Sequence, residues 1–234
     1  MLISAILATL GTFGIILIFL RLMDFIADRG WISSRLSRKL IHIGTGPIFI
    51  LCWALFPDAW SSRWLAALVP LLITAQFAMV GSGLMKDEAS VKALSRSGDP
   101  REILRGPLFY GIVFVLLTVI FWKDHPAGVV ALMILCGGDG VADIVGNAIK
   151  SPKLPWSPKK SIVGSLSVFL GGFLLAALIL WALQLFGIFG NAYTKVGTLA
   201  LIALVATLVE SLPFKDVDNL TISGISALLA WWLM

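Results

Sequence analysis

Charged residues are scarce in this chain. They make up 13% of its 234 residues, whereas 59% are hydrophobic, and the mean hydropathy is +0.96. Because a soluble domain carries about 25% charged residues, this composition excludes an ordinary soluble protein and indicates a polytopic membrane protein. Cysteine is scarce too: Cys52 and Cys136 both lie in apolar segments, so we expect buried thiols and no disulfide.

The signatures of soluble nucleotide enzymes are also missing. The chain has no G-x-x-x-x-G-K-[ST] phosphate loop, no protein-kinase signature and no internal repeat. Its first apolar segment is too long and too apolar for a cleaved leader, so we expect no signal or transit peptide. The net charge of +5 does not indicate nucleic-acid binding, because the cations lie in loops beside apolar segments.

Eight apolar segments predict an all-α bundle of about eight transmembrane helices, with seven possible. We expect one integral membrane domain over residues 1–234, in which 82–107 is an interfacial loop that contains a short helix from Asp87 to Ser97, ended by Gly98. The segments lie near 2–20, 40–56, 64–81, 108–122, 126–149, 162–186, 196–212 and 219–234.

Lysine and arginine are distributed unevenly over the connections. Loops 21–39, 82–107, 150–161 and 213–218 carry most of them, whereas the alternate loops carry one each, Arg63, Lys123 and Lys195. The positive-inside rule therefore places the first set of loops in the cytosol and both termini on the opposite side.

Two aspartates interrupt the fifth apolar segment. Asp139, Asp143 and Asn147 are spaced four residues apart, so they share one helix face. Two neighbouring carboxylates in a low dielectric cannot both stay ionised without a cation, and Mg²⁺ commonly binds one or two carboxylates plus substrate phosphates. We therefore expect a metal or catalytic role, with a proton path in a transporter as the alternative. Glycines beside the acids either loosen the helix or admit a neighbouring backbone or a ligand: Gly137, Gly138 and Gly140.

A basic segment follows the acids, at the start of the sixth apolar segment. It contains Lys159, Lys160, Ser161, Gly164 and Ser165. The free N–H groups and the positive dipole end of a helix N-terminus suit anions, so we predict a phosphate site. Taken alone, these residues could be an ordinary basic flank of a membrane helix with a serine N-cap. Because Asp139 and Asp143 precede them closely in the chain, we favour the phosphate site.

Other polar residues fall on the same predicted side of the membrane. Arg38, Lys39 and His42 open the second segment, and His42 either acts as an acid–base near neutral pH or bonds a neighbouring helix. Glu210 is a third acid at membrane depth that could complete a metal shell. Asp218 could serve as an N-cap instead of a ligand. We expect all of these residues to converge on a single site.

Five stretches resemble the polyprenol kinase family of CTP-using lipid kinases, and the phytol kinase branch most of all. They are RKLIHIGTG (38–46), SRSGDPREILRGPLFY (95–110), CGGDGVADIVG (136–146), KLPWSPKKSIVGSLSVFLGGF (153–173) and VATLVESLPFKDVDN (205–219). The chain departs from the family pattern where Val217, in place of a second acid, precedes Asp218 and Asn219, and where the segment after Gly146 is less basic and less glycine-rich.

The resemblance implies transfer of the γ-phosphate of CTP to a lipid alcohol with a divalent cation, Mg²⁺, in isoprenoid salvage for tocopherol and phylloquinone synthesis. It implies Asp139, Asp143 and Glu210 as metal ligands, and one acid or His42 as general base. The residues then expected around the nucleotide are Lys159, Lys160, Ser161, Gly164, Ser165, Arg38, Lys39, Arg105, Asn147, Asp218 and Asn219.

Alternatives to a phytol kinase are another polyprenol or diacylglycerol kinase, a CTP:phosphatidate cytidylyltransferase, or an ion-coupled transporter. The expected partners are a lipid alcohol, a nucleoside triphosphate and membrane lipids. We expect a bacterial plasma or thylakoid membrane, with the site on its cytosolic face.

Overall fold

The computed structural model describes residues 1–95, 97–213 and 217–234. Two of the cations used to predict orientation, Arg96 and Lys215, lie outside the described residues. The helices in chain order are α1 (Leu2–Asp28), α2 (Ser34–Leu51), α3 (Trp60–Gly81), α4 (Glu88–Leu94), α5 (Gly106–Phe121), α6 (Ala127–Ala148), α7 (Ile162–Gln184), α8 (Val196–Glu210) and α9 (Asp218–Leu233). Short 3₁₀ turns cover Cys52–Leu55, Pro100–Leu104 and Ala192–Thr194, and two strands, β1 (Lys153–Leu154) and β2 (Ser157–Ser161), precede α7.

Within the described residues, the eight long helices coincide with the eight predicted apolar segments, so an all-α membrane bundle is confirmed. The observed helix ends differ most from the predicted ones in the connection between the first two segments. Helix α1 continues to Asp28 and α2 begins at Ser34, so the predicted loop 21–39 is much shorter than expected. Ser33 caps α2, because its hydroxyl accepts a hydrogen bond of 3.2 Å from the Leu36 N–H.

The predicted loop 150–161 is instead an antiparallel β-hairpin, which an all-α prediction omitted. Lys153 pairs with Ser161 and Leu154 with Ser157, so Pro155 and Trp156 form the turn. Pro155 and Pro158 explain the absence of helix in this segment, because proline lacks the N–H that a helix interior requires.

Five stretches among the described residues are long and apolar enough to cross a membrane: Leu2–Asp28, Trp60–Gly81, Pro100–Phe121, Ala127–Ala148 and Ile162–Gln184. Helices α8 and α9 have only 15 and 16 residues, fewer than the ~20 of a full span. Helix α2 has 18 residues but carries four basic side chains in its first half. Eight spans therefore remain a prediction, while the membrane bundle itself does not depend on that number.

Helix α6 forms the centre of the bundle. All eight residues from Val129 to Cys136 are buried, and α6 packs against α2, α5, α7 and α9. Cys52 and Cys136 are buried and unpaired, as predicted. The other end of α6 is different, because Asp139 and Asp143 there are partly exposed.

Glycine allows α6 and α7 to touch through their backbones. A Cβ added at Gly171 of α7 would lie 2.5 Å from the carbonyl oxygen of Gly137 in α6, closer than any real Cβ contact. Small residues at such crossings let two helices approach closely in a membrane. The glycines beside the acids thus admit a neighbouring backbone, and α6 stays helical through them.

The interfacial loop 82–107 contains the predicted short helix, α4, which ends at Leu94 rather than at Ser97. Asp87 is its N-cap, since its carboxylate accepts a 3.0 Å hydrogen bond from the Ser90 N–H. A 3₁₀ turn at Pro100–Leu104 leads directly into α5. The loop therefore folds along the same end of the bundle as the starts of α2 and α5.

We predict that Gly171→Ala destabilises the protein by about 1–3 kcal/mol, because the methyl group overpacks the backbone contact with Gly137. Thermal unfolding in detergent should show a Tm lower by several degrees. The control is Gly14→Ala, because a Cβ at Gly14 of α1 has no atom within 4 Å. Equal Tm values for the two variants would contradict this account of the crossing.

Candidate functional site

The predicted site residues gather at one end of the bundle. That end comprises the starts of α2, α5, α7 and α9, the ends of α6 and α8, and the β-hairpin, because successive long helices run in opposite directions. Residues 1 and 234 lie at the other end. The cations of the alternate loops also lie there, where Arg63 pairs with Asp124 and Lys123 with Asp58.

Helices α2 and α6 face each other through opposite charges. The Lys39 ammonium lies 3.8 Å from a carboxylate oxygen of Asp139 and 3.7 Å from one of Asp143. His42 Nε2 lies 3.3 Å from Asp139, and an Arg35 nitrogen lies 3.5 Å from Asp143. We call these five residues the α2–α6 cluster.

The two carboxylates of the α2–α6 cluster converge on one cationic group and remain partly accessible. Their side chains are 36% and 30% exposed for Asp139 and Asp143 respectively. Asn147, one turn further along α6, donates hydrogen bonds to the backbone carbonyl and the carboxylate of Asp143. The predicted spacing therefore places three oxygen-bearing side chains on one face of α6, open to a ligand.

A second group of charges lies on the hairpin, α8 and α9. The Lys160 ammonium binds the Glu210 carboxylate and lies 3.3 Å from an oxygen of Asp218; these three residues form the Lys160 cluster. Burial disfavours the charge on Lys160, but Glu210 and then Asp218 outweigh that effect and hold the pKa of Lys160 above its usual value. Lys160 is therefore a permanent cation at neutral pH.

Lys159 and Lys160 do not act as a pair in this structure. They are neighbours in β2, where side chains alternate between the two faces of a strand, and Lys159 is exposed while Lys160 is partly buried. The sequence predicted both beside the N-terminus of the sixth segment, and they lie there, in β2 directly before Ser161, which caps α7 at Ile162. Their use as phosphate ligands stays a prediction.

The two clusters adjoin each other. Asp139 interacts electrostatically with Lys160, and Glu210 with Asp139. Glu210 is only 8% exposed, and its carboxylate contacts Lys160 rather than the carboxylates of α6. Within the described residues, no group of three His, Cys, Asp or Glu side chains is arranged to hold a metal ion. Glu210, the predicted third metal ligand, therefore lies near Asp139 but does not form one cluster with the two carboxylates of α6.

The start of α7 is capped by its own serine. The Ser161 hydroxyl accepts a 3.2 Å hydrogen bond from the Gly164 N–H, so that donor is already engaged. One turn later, the Ser165 hydroxyl oxygen is buried and has no hydrogen-bond partner. A Cβ at Gly146 would lie 3.4 Å from Gly164 Cα, so this first turn packs directly on the end of α6.

Three other predicted residues lie at the edge of this end of the bundle. Arg38 donates a 2.7 Å hydrogen bond to the Ser95 carbonyl in the interfacial loop, and Asn219 donates one of 2.8 Å to the Gly106 carbonyl. Arg105 is exposed where the loop enters α5. Although Arg38 and His42 share a helical spacing, they contact different partners.

Two residues of the site were not predicted. Arg35 was assigned to a loop, yet Arg35, Lys39 and His42 have the four- and three-residue spacing of one helix face, which was the available signal. Tyr110 donates a 3.0 Å hydrogen bond to the His42 carbonyl, and its ring lies 4.4 Å from the imidazole. No sequence pattern links Tyr110 to His42, because the contact joins α5 to α2.

The α2–α6 cluster suits a divalent cation by its donor set. Asp139 and Asp143 present carboxylate oxygens one helical turn apart toward a shared cationic neighbour, Lys39. Mg²⁺ prefers such oxygen ligands and is completed by substrate phosphates and water rather than by an all-protein cage. Two carboxylates are therefore enough protein ligands for a nucleotide-bound Mg²⁺.

The fold and this charged end define an integral membrane protein that gathers carboxylates and cations at one end of its helix bundle. The chain is 41% identical over 233 residues to a probable phytol kinase 1 of Oryza sativa subsp. japonica, covering 98% of this chain and 73% of that protein. It is 35% identical to phytol kinase 1 of Arabidopsis thaliana (94% and 72% covered) and 38% identical to farnesol kinase of the same plant (89% and 68% covered). The chain therefore belongs to the family of phytol and farnesol kinases.

Two other comparisons gave no match. No family model matches the sequence, and no solved structure matches it.

We predict that Lys160→Met destabilises the protein by about 3 kcal/mol, because it leaves the buried Glu210 carboxylate without its cation. Adding Glu210→Gln should recover most of this loss. The control is Lys159→Met, which removes an exposed charge and should change stability by less than about 0.5 kcal/mol. Thermal unfolding in detergent compares the wild type, the two single variants and the double variant. A Lys160→Met variant as stable as Lys159→Met would refute the pairing of Lys160 with buried Glu210.

Proposed function

We propose that this protein is a CTP-dependent lipid-alcohol kinase that converts phytol and CTP to phytyl phosphate and CDP. The observation that carries the proposal is the convergence of Asp139 and Asp143 on one cationic group, beside Lys160, at one end of a membrane bundle. Phytol kinases and a farnesol kinase are relatives over most of the chain, which supports an isoprenoid alcohol as acceptor and a nucleotide as donor.

In the proposed reaction, the alcohol oxygen forms a bond to the γ-phosphorus while the bond from that phosphorus to the β–γ bridging oxygen breaks. CDP leaves, and the alcohol proton passes to a base. Such transfers depend mainly on positioning and on electrostatic stabilisation. A site composed of fixed cations and carboxylates supplies both.

The residues divide into two roles. Asp139 and Asp143 would hold Mg²⁺, which supplies charge neutralisation on the phosphates when bound. Three cations lie beside carboxylates at this end of the bundle: Lys160, Lys39 and Arg35. Their positive charge would let them bind the phosphate oxygens of a nucleotide. Glu210 and Asp218 would hold Lys160 in position, since both contact its ammonium.

The proton acceptor is one of the carboxylates or His42. Asp139 and His42 contact each other, and Tyr110 fixes the turn that carries His42 through its hydrogen bond to the His42 carbonyl.

We also propose that the site faces the cytosol or the equivalent compartment of a plastid, in a bacterial plasma or thylakoid membrane. The positive-inside distribution supports this orientation, and relatives named as chloroplastic are compatible with a thylakoid location. The purpose of the reaction would be salvage of phytol for tocopherol and phylloquinone synthesis.

A product assay tests the proposal directly. The purified protein is incubated with Mg²⁺, CTP and, side by side, phytol, geranylgeraniol, dolichol or diacylglycerol. We expect phytyl phosphate and CDP in equal amounts, with phytol the best acceptor. With phosphatidate as the lipid, formation of pyrophosphate and CDP-diacylglycerol would instead identify a cytidylyltransferase, and no consumption of CTP with any of these lipids would favour the ion-coupled transporter.

We predict that Asp139→Asn and Asp143→Asn each lower kcat/KM by about 100-fold or more, because each removes charge from the position proposed for Mg²⁺. Asp28→Asn is the control, since Asp28 is an exposed acid at the end of α1 and should retain activity within about twofold. Gel filtration in detergent checks that all three variants fold. Full activity in either α6 variant would exclude these carboxylates as metal ligands.

A further inference from the structure

Tyr110 of α5 joins the two helices that carry the α2–α6 cluster. Its hydroxyl oxygen lies 3.0 Å from the His42 carbonyl oxygen of α2 and 3.1 Å from the Cys136 sulfur of α6. Because a carbonyl oxygen can only accept, the single proton of the hydroxyl points to His42, and the Cys136 thiol donates to the Tyr110 oxygen. One side chain therefore connects α5, α2 and α6 through two hydrogen bonds in series.

Both of these hydrogen bonds lie close to the charged groups of the site. Cys136 is fully buried and precedes Asp139 by three residues of α6, which is about 4.5 Å along the helix axis. The other hydrogen bond ends on the backbone of His42, whose imidazole Nε2 lies 3.3 Å from Asp139. Tyr110 thus sets the separation of α2 and α6 at the level where His42 meets Asp139.

The imidazole of His42 is confined by its neighbours. The centroid of the Tyr110 ring lies 4.4 Å from that of the imidazole, and a Cβ added at Gly140 of α6 would lie 3.4 Å from His42 Cδ2. Within the described part of the chain, the buried Nε2 has no hydrogen-bond partner beyond its contact with Asp139. The ring therefore has little freedom to turn away from this carboxylate.

The two basic groups beside Asp139 lie on the same oxygen of its carboxylate. The Lys39 ammonium is 3.8 Å, and His42 Nε2 is 3.3 Å, from Asp139 Oδ2. A carboxylate that is held through one oxygen can bind a metal ion through the other. Groups behind a metal ligand commonly fix its orientation in this way, so His42 is placed to restrain Asp139 as a ligand.

We propose that Tyr110 is a positioning residue for the metal site. Its two hydrogen bonds fix α2 against α6, so that His42 holds one oxygen of Asp139 and leaves the other to the divalent cation. Tyr110 acts through His42 and not on the reacting atoms. The inference rests on the proposed function for the presence of a metal ion at Asp139, and it adds the residue that determines how well this ligand is oriented.

The first test is Tyr110→Phe, which removes the hydroxyl and keeps the ring. Mn²⁺ alone is titrated into the purified full-length protein, and binding is followed by electron paramagnetic resonance. We expect the affinity for Mn²⁺ to fall about tenfold, as when other groups behind a metal ligand are lost. The matched control is Tyr193→Phe, the same change in the other tyrosine of the chain, which lies at the opposite end of the bundle. Equal Mn²⁺ affinities in the two variants would overturn the inference.

Two further measurements separate positioning from simple stabilisation of the bundle. A hydroxyl that only stabilised the fold would lower the Tm of Tyr110→Phe and leave its Mn²⁺ affinity unchanged, which would overturn the inference. Asp139→Asn shows where the ion binds, and we expect it to lower the affinity more than Tyr110→Phe does. Wild-type protein that binds no Mn²⁺, or that binds it no better than Asp139→Asn, would also overturn the inference.

The second test asks whether Cys136 acts through Tyr110. Cys136→Ala should lower the Mn²⁺ affinity about two- to threefold, in the range by which groups that share a partner couple, because the bond to His42 remains. Adding Cys136→Ala to Tyr110→Phe should lower it no further, since the series of bonds is already broken. The control is Cys52→Ala, which removes the other buried thiol. Effects that multiply in the double variant would overturn the connection of α6 through Tyr110.

Failure of the proposed function gives a different result. Binding of Mn²⁺ does not depend on turnover, so a wild-type protein that forms no phytyl phosphate while the variants differ as expected would refute the reaction and leave the positioning role intact. If the wild-type protein is active but Tyr110→Phe and Tyr193→Phe bind Mn²⁺ equally well, the reaction stands and the inference fails.

Discussion

Ionised carboxylates inside a membrane bundle need cations close to them, and this requirement organises one end of the molecule. Asp139 and Asp143 on α6 lie opposite Arg35, Lys39 and His42 on α2. Glu210 at the end of α8 is matched in the same way by Lys160 of the hairpin. A charge at mid-membrane is unfavourable by about 3 kcal/mol even on the lenient scales, so each acid fixes the position of the element that carries its partner.

The same helix supplies both the rigid centre of the bundle and its charged end. Its first half is uniformly apolar and buried from Val129 to Cys136. The glycines that follow allow α7 to approach backbone to backbone, with Gly137 and Gly171 in direct opposition. The acids come next, so their positions are set by a helix crossing in which the two backbones touch. Close packing thus gives the charged residues a defined geometry without a large soluble domain.

Hydropathy and spacing predicted the parts of this structure that depend on one segment at a time. The long apolar runs correspond to the eight long helices, and the four-residue spacing of Asp139 and Asp143 correctly placed both on one helix face, where Lys39 reaches both. Arg35 was missed because polar residues at the start of α2 resemble a loop in a hydropathy profile, although they lie in the first turns of a helix.

Contacts between distant segments could not be predicted in this way. The hairpin separates Lys159 from Lys160 by strand alternation, which a short proline-containing segment does not reveal. Arg38 binds the interfacial loop, and Asn219 binds the start of α5, and each contact depends on how the helices are arranged around α6. Trp156 likewise reaches Ser211 only when the hairpin folds back over the end of α8.

The central claim is that the carboxylates of α6 and the cation of the hairpin serve one nucleotide. The most direct measurement is an experimental structure of the protein in a lipid nanodisc with Mg²⁺ and a non-hydrolysable CTP analogue. The account predicts density for the metal at Asp139 and Asp143, with the triphosphate extending from it to Lys160. A nucleotide bound at the other end of the bundle, or one that contacts neither α6 carboxylate, would contradict it.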